Sequence, residues 1–237
     1  WEDVRRDFPS RGTDPQFFYN CFCRIAGVED KLTYQNELYQ LQLELKTAKR
    51  RLVILSGTLP PPTMEEIGGI RRKNYQDVHQ LVLDLSSNLQ YSASQELQRL
   101  MVRAFVDLLL EEGQKEPDKL NRLTNRAVYL LCWLKRYQQQ LFGKWTFPEV
   151  GAFLYLGVCK NENEALFFRF LARLPVDVLL FQPNRNEHCC LEDRRLYTVN
   201  SPLSLSVSQY PEEDGDLRQA TAAYHAERDL DQLIYQD

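Results

Sequence analysis

Residues 150–159 are ten consecutive apolar or glycine positions, about half of what a bilayer-spanning helix requires. A run this short, containing Val150, Phe153, Tyr155 and Val158, reads as a strand over 150–158 with apolar side chains on both of its faces. A helical pattern follows over 162–173, opened by Asn161 with Glu164, and a second continuous apolar run occupies 176–181. Strands without polar alternation belong to sheets covered on both sides. A strand, a helix and a strand in succession imply a right-handed crossover and a parallel pair. The sequence therefore predicts an α/β protein with helices on both faces of a parallel sheet.

The same rhythm occurs earlier. Residues 16–25 read as a strand, with Phe17, Tyr19, Cys21, Cys23 and Ile25 on one side and Phe18 and Phe22 on the other. Tyr34, Leu38, Leu41, Leu45 and Ala48 then fall on one helical stripe, and Leu52-Val53-Ile54-Leu55 forms a second short strand. Residues 16–57 are thus expected to form a strand–helix–strand unit with its strands paired.

Between the two units, Pro60-Pro61-Pro62 breaks the chain and the pattern becomes helical. Val78, Leu81, Val82 and Leu85 mark one helix. Ser92 with Gln95 is the expected cap of a second that stops near Gly113. Pro117 is expected in the first turn of a third, which ends before Gly143. The whole reads as a Rossmann-like α/β core over 1–62 and 148–237, with a helical insert or subdomain over 63–147. The chain opens on Trp1 without the apolar segment of a signal peptide, and is read as a fragment of a longer protein.

Composition narrows the function classes. Apolar residues at 43% and charged residues at 26% are ordinary for a globular domain. A net charge of −4 and a pI near 5.6 give no overall basic footprint for nucleic acid, and no stretch is long enough for a membrane anchor. Six cysteines in 237 residues, with Cys21, Cys132 and Cys159 inside apolar runs, fit a reducing cytoplasm better than a secreted disulfide framework.

In open α/β sheets ligands gather outside the carboxyl ends of the strands. The residues there are Ser56-Gly57-Thr58, Lys160-Asn161-Glu162-Asn163 and Gln182-Pro183-Asn184-Arg185-Asn186. Lys160, Asn184, Arg185 and Asn186 are candidates for hydroxyl or anion recognition, although Asn, Pro and Gly equally make turns. No glycine-rich dinucleotide or P-loop signature follows any strand. Glu162 and Glu164 place negative charge at the start of the helix after Lys160, which argues against a phosphate there unless Lys160 compensates.

The long aperiodic stretch from Pro183 to about Gly215 is expected to be a functional loop, with Arg194 and Arg195 as further anion contacts. His188, Cys189 and Cys190 lie together in it, but adjacent cysteines cannot both readily grip one tetrahedral ion, so no metal ligands are assigned. A final helix brings His225 beside Arg228 and Asp229, with Glu227 beside Asp231. His225 and Glu227 are the candidates for proton transfer and Arg228 for clamping an anion. A solvated helix face with compensating charges is the other reading.

Glu187-His188-Cys189-Cys190-Leu191-Glu192-Asp193 and Thr221-Ala222-Ala223-Tyr224-His225-Ala226-Glu227-Arg228-Asp229-Leu230-Asp231 resemble the YceG-like family of bacterial proteins. Phe17-Phe18-Tyr19-Asn20-Cys21-Phe22-Cys23-Arg24-Ile25-Ala26-Gly27 is similar too. The resemblance implies genes lying beside those for tellurium-resistance and general-stress proteins, and a part in a biosynthetic module. It brings no catalytic assignment, but adds weight to a site at His225, Glu227, Arg228 and Asp229. The expected function is binding, and possible turnover, of a nucleotide, sugar or phosphorylated metabolite at the carboxyl edge of the sheet, with no cofactor specified. A noncatalytic component docking on a protein partner from the same operon through the insert, and a metal-linked resistance factor at His188 to Cys190, are the alternatives.

Overall fold

The computed structural model describes residues 2–12, 14, 17–91 and 93–212. Within them lie strands β1 (Phe22–Ala26), β2 (Leu52–Ser56), β3 (Gly151–Leu156), β4 (Val176–Gln182) and β5 (Tyr197–Asn200). The helices are α1 (Glu2–Arg5), α2 (Phe8–Arg11), α3 (Tyr34–Thr47), α4 (Met64–Gly68), α5 (Val78–Ser86), α6 (Gln95–Lys115), α7 (Leu120–Phe142) and α8 (Glu162–Leu171). The strands form one sheet in the order β2-β3-β4-β1-β5, and every pairing is parallel.

Every residue of β3 and β4 is buried, so both sheet faces have to be covered. Phe153, Tyr155, Val178 and Leu180 join one apolar cluster with Leu130 and Leu134 of α7 and Phe167 and Phe168 of α8. Leu154, Leu156, Leu179 and Phe181 point the other way, onto Leu38, Leu41 and Leu45 of α3. The alternation of strand side chains therefore divides the core in two. The connection through α3 crosses the sheet in one direction and that through α8 in the other. A single crossover hand then places the two helices on opposite faces.

The paired unit β3-α8-β4 is as the sequence predicts, and Asn161 Oδ1 accepts from Glu164 N at 3.0 Å to open α8. The earlier unit differs. β1 and β2 lie in the same parallel sheet but do not pair, because β3 and β4 stand between them. Periodicity identifies a strand without naming its neighbour. β1 also starts at Phe22, not at residue 16: Phe17 and Tyr19 are exposed, and Asn20 Nδ2 donates to the carbonyls of Ala172, Leu174 and Val176 instead of extending the ladder.

In the 63–147 segment, α6 is capped by Ser94, whose hydroxyl accepts from Leu97 N at 3.3 Å. The expected cap, Ser92, lies outside the described residues. Pro117 sits in the turn before α7 and not in its first helical turn. These helices and the α8 face of the sheet share a single apolar cluster. Arg169 of α8 adds a polar tie, donating to Glu112 (2.5 Å) and Glu111 (2.8 Å) of α6 and to Asp193 (3.0 Å).

At the amino edge of the sheet, Asp177 is fully buried in β4. Its carboxylate accepts from Arg11 Nη1 at 2.9 Å, Arg50 Nη2 at 2.8 Å and Cys21 N at 2.8 Å. Both guanidinium groups are themselves buried, and spend further donors on Val4, Val150 and Gly151 carbonyls. Truncating the carboxylate strands two buried cations. Asp177→Ala is therefore expected to lose about 3–5 kcal/mol of stability in equilibrium urea unfolding; a loss below about 1 kcal/mol would show that water already screens the cluster.

Candidate functional site at the carboxyl edge

The chain leaves β2 and β3 through two glycines in close contact. Gly57 has φ +85°, and a Cβ at Gly157 would lie 2.4 Å from Gly57 O, so neither position suits a side chain. Tyr155 Oη donates to Gly57 O at 2.6 Å and fixes the turn. Beside these turns lies a hollow of about 440 Å3, whose polar lining comes from Thr58, Lys160, Asn184, Glu187, Ser206 and Ser208.

Each side reaches the hollow for an identifiable reason. Glu164 is buried in α8, and its carboxylate accepts from Leu59 N and from Lys160 N, both at 3.1 Å. It thereby ties the chain after β2 to the chain after β3 and places Lys160. Gln182, at the end of β4, donates from Nε2 to the carbonyls of Asn184 (3.2 Å) and Glu187 (2.7 Å), shaping the next loop. Asn184 Nδ2 donates to Glu187 Oε1 at 3.1 Å, and Lys160 Nζ stands 3.5 Å from Glu187 Oε2. The Lys160–Glu187 pair is half exposed, and such a pair is worth about 0–1 kcal/mol, so a ligand can take over its contacts at little cost.

The far wall is a strap that returns across the sheet after β5. Leu203 bridges Val28, Leu205 N donates to Pro183 O (3.0 Å), and Tyr210 N donates to Ser56 Oγ (2.8 Å). Leu205 and Val207 pack on the α3 cluster, while the intervening Ser206 and Ser208 line the hollow. A second hollow, about 360 Å3, opens by β1 and β5 between Glu29, Glu37 and Ser201.

The structure brings Lys160 and Asn184 together, along with the turn at Gly57 and Thr58. Arg185 is directed elsewhere, donating to the carbonyls of Ser201 (3.1 Å) and Pro202 (3.0 Å). Asn186 is exposed, its N–H donating to Asn184 Oδ1 at 3.3 Å. Arg194 and Arg195 are exposed in the turn that leads into β5, which puts them at the amino edge, across the sheet from the hollow. His225, Glu227 and Arg228, with the helix expected to carry them, lie outside the described residues.

The stretch expected to be one long loop contains strand β5. Its preceding connection lies on the α8 face, where Leu191 is buried and Cys189, Cys190 and Leu196 pack. Cys190 Sγ is 3.7 Å from Cys159 Sγ. Burial pushes both thiols up, Cys159 further because of Cys190 beside it, so both stay protonated and poorly nucleophilic. Among the described residues, no three His, Cys, Asp or Glu side chains cluster closely enough for a metal.

Glu187, Ser206 and Ser208 were not among the expected contacts of the hollow. The strap had a signal, the strict alternation Leu203-Ser204-Leu205-Ser206-Val207-Ser208, which is the period of an extended segment with one apolar side.

Fold and site together define an open parallel α/β protein with a polar hollow at its carboxyl edge. The chain belongs to the YceG family, whose domain model matches residues 3–235. Neither a curated protein nor a solved structure matches it. Among the described residues no helix is long and apolar enough to cross a membrane.

Burial pushes the Glu164 carboxyl above the usual range, against the opposing pull of the Lys160 and Leu59 N–H groups. A carboxyl raised on folding contributes stability that is complete below its unfolded value and is lost as pH rises through the folded one. The stability of the wild type relative to Glu164→Gln should be flat below pH 4.5, the ordinary value, and fall above it. Urea unfolding of both proteins across pH 4–8 measures this, and a difference that grows with pH would contradict it.

Proposed function

We propose that this protein binds a small polyhydroxylated metabolite, a sugar or the sugar end of a nucleotide sugar, in the hollow at the carboxyl edge. The observation that carries the reading is the convergence of Lys160, Asn184 and Glu187 with Ser206 and Ser208 on one cavity. An ammonium and an amide, at 3.5 and 3.1 Å from one carboxylate, offer the donors and acceptors that hydroxyl groups require. Glu187 would oppose a bare phosphate in the same place. Turnover would draw on His225 and Glu227 as acid and base and on Arg228 as an anion clamp, a role proposed from their sequence pattern. The family resemblance supports a place in a stress-linked, tellurium-resistance biosynthetic module, and the cysteine usage supports action in the cytoplasm.

Thermal unfolding in the presence of sugars, nucleotides and nucleotide sugars tests this. A ligand at a hundred times its Kd stabilises by about 2.7 kcal/mol, roughly 5–10 °C for a chain of this size. Asn184→Ala and Lys160→Ala should each remove most of that shift, and His225→Ala should leave binding while abolishing any turnover. The reading fails if none of these compounds moves the wild-type transition, or if Asn184→Ala responds as the wild type does.

A further inference from the structure

We propose that the groove between α7 and the start of α8 is an anion site that takes the phosphate group of a small phosphate ester. It lies next to the carboxyl-edge hollow, with Lys160 lining both, but its other cations, Arg72, Arg122 and Arg126, come from the helical segment.

The groove encloses about 750 Å3, within the range of small-molecule sites. It continues past Arg72 and Asn125 into a second space of about 640 Å3. Arg72, Arg122, Arg126 and Lys160 supply cations to the first space, and Glu162 is the carboxylate among its described lining residues. Lys73 adds a further cation in the second, where no described lining residue is acidic. This concentration of positive charge occurs in a protein whose net charge is −4.

Arg126 carries the argument. It is 6% exposed, and its Nε has no hydrogen-bond partner. Its carboxylate neighbours Glu112, Glu116 and Glu162 stand at 3.6, 3.6 and 4.0 Å, beyond hydrogen-bond reach. Two of them are engaged elsewhere: Glu112 accepts from Arg169 at 2.5 Å and Lys115 at 2.7 Å, and Glu116 accepts from Lys119 at 2.7 Å. A buried guanidinium usually spends its planar fork on hydrogen bonds. Here the Nη groups stand no closer than 3.6 Å to a carboxylate beside the groove that Arg126 lines, so an incoming phosphate gains charge-assisted bonds at them that the protein itself does not make.

The first turn of α8 adds to this. Asn161, Glu162 and Asn163 line the groove, at the positive end of a ten-residue helix. Two acidic residues, Glu162 and Glu164, were expected to repel an anion here, but Glu164 is turned inward at 1% exposure and bound by backbone N–H groups. Only Glu162 remains at the rim, facing Arg126. Asn121 and Asn125 offer neutral amides for the rest of the ester.

Isothermal titration of inorganic pyrophosphate into the whole chain, at low salt and at 150 mM salt, tests the site. Binding should weaken as salt rises and should fall at least tenfold in Arg72→Ala/Arg122→Ala, which removes exposed side chains with no role in the core. Arg99→Ala/Arg103→Ala removes the same charge outside the groove and should bind as the wild type does. Arg126→Lys, which keeps the charge and loses the fork, should weaken binding as well. The proposal is overturned if the wild type takes up no pyrophosphate at millimolar concentration, or if Arg72→Ala/Arg122→Ala binds it normally. Single-stranded oligonucleotides that bind more tightly with length would overturn it in favour of a polyanion surface. Unphosphorylated sugars titrated separately report on the carboxyl-edge hollow, so either site can fail without the other.

Discussion

Strands β3 and β4 have no face left for water, and the rest of the molecule is arranged around that constraint. Their alternating side chains demand two apolar covers of different composition. One is built on α3 with Val4 of α1 and the strap at Leu205, Val207 and Tyr210, and the other is the broad layer of α7, α8 and the connection that carries Leu191. The paired centre also pushes β1 and β2 apart, so that β1 gains β5 as its outer neighbour and β2 becomes an edge. Asp177 is the charged exception within β4, and it is tolerated because two arginines and a backbone N–H meet its carboxylate.

The two ends of this sheet have opposite characters. At the amino edge, charges are paired inside the protein, with Arg11 and Arg50 committed to Asp177 and to carbonyls. At the carboxyl edge, charges stand half exposed: Lys160 and Glu187 face each other loosely beside Asn184. The first arrangement resists change because each group is desolvated and matched. The second leaves donors and acceptors that a solute can use. Matched, desolvated charge and half-exposed polar groups thus lie at opposite ends of the same strands, joined through β4, which begins at the one and finishes at the other.

What could be read in the sequence follows the same division. The β3-α8-β4 unit was legible because its apolar runs are continuous and its helix is opened by Asn161. The β1–β2 pairing was not, since strand order depends on contacts between distant segments. β5 escaped notice because four residues on an exposed edge carry almost no periodic signal, and without it Arg194 and Arg195 could not be assigned to the amino edge. Lys160 and Asn184, expected at the carboxyl edge from the general placement of ligands in open sheets, do line one hollow there. The groove cations were not legible, because Arg72, Arg122, Arg126 and Lys160 are brought together only by the packing of α7 against α8 and by the connection between α4 and α5.

Lys160 is a wall shared by two cavities, and that position has a thermodynamic meaning. A negative group seated against it from the groove side loosens its attraction to Glu187 and frees that carboxylate to accept from hydroxyls in the hollow. Whatever factor one occupant contributes to the affinity of the other must be returned in equal measure. A molecule long enough to reach both cavities would bind its second end at the high local concentration set by its first, and this one ammonium would be where the two halves are coupled.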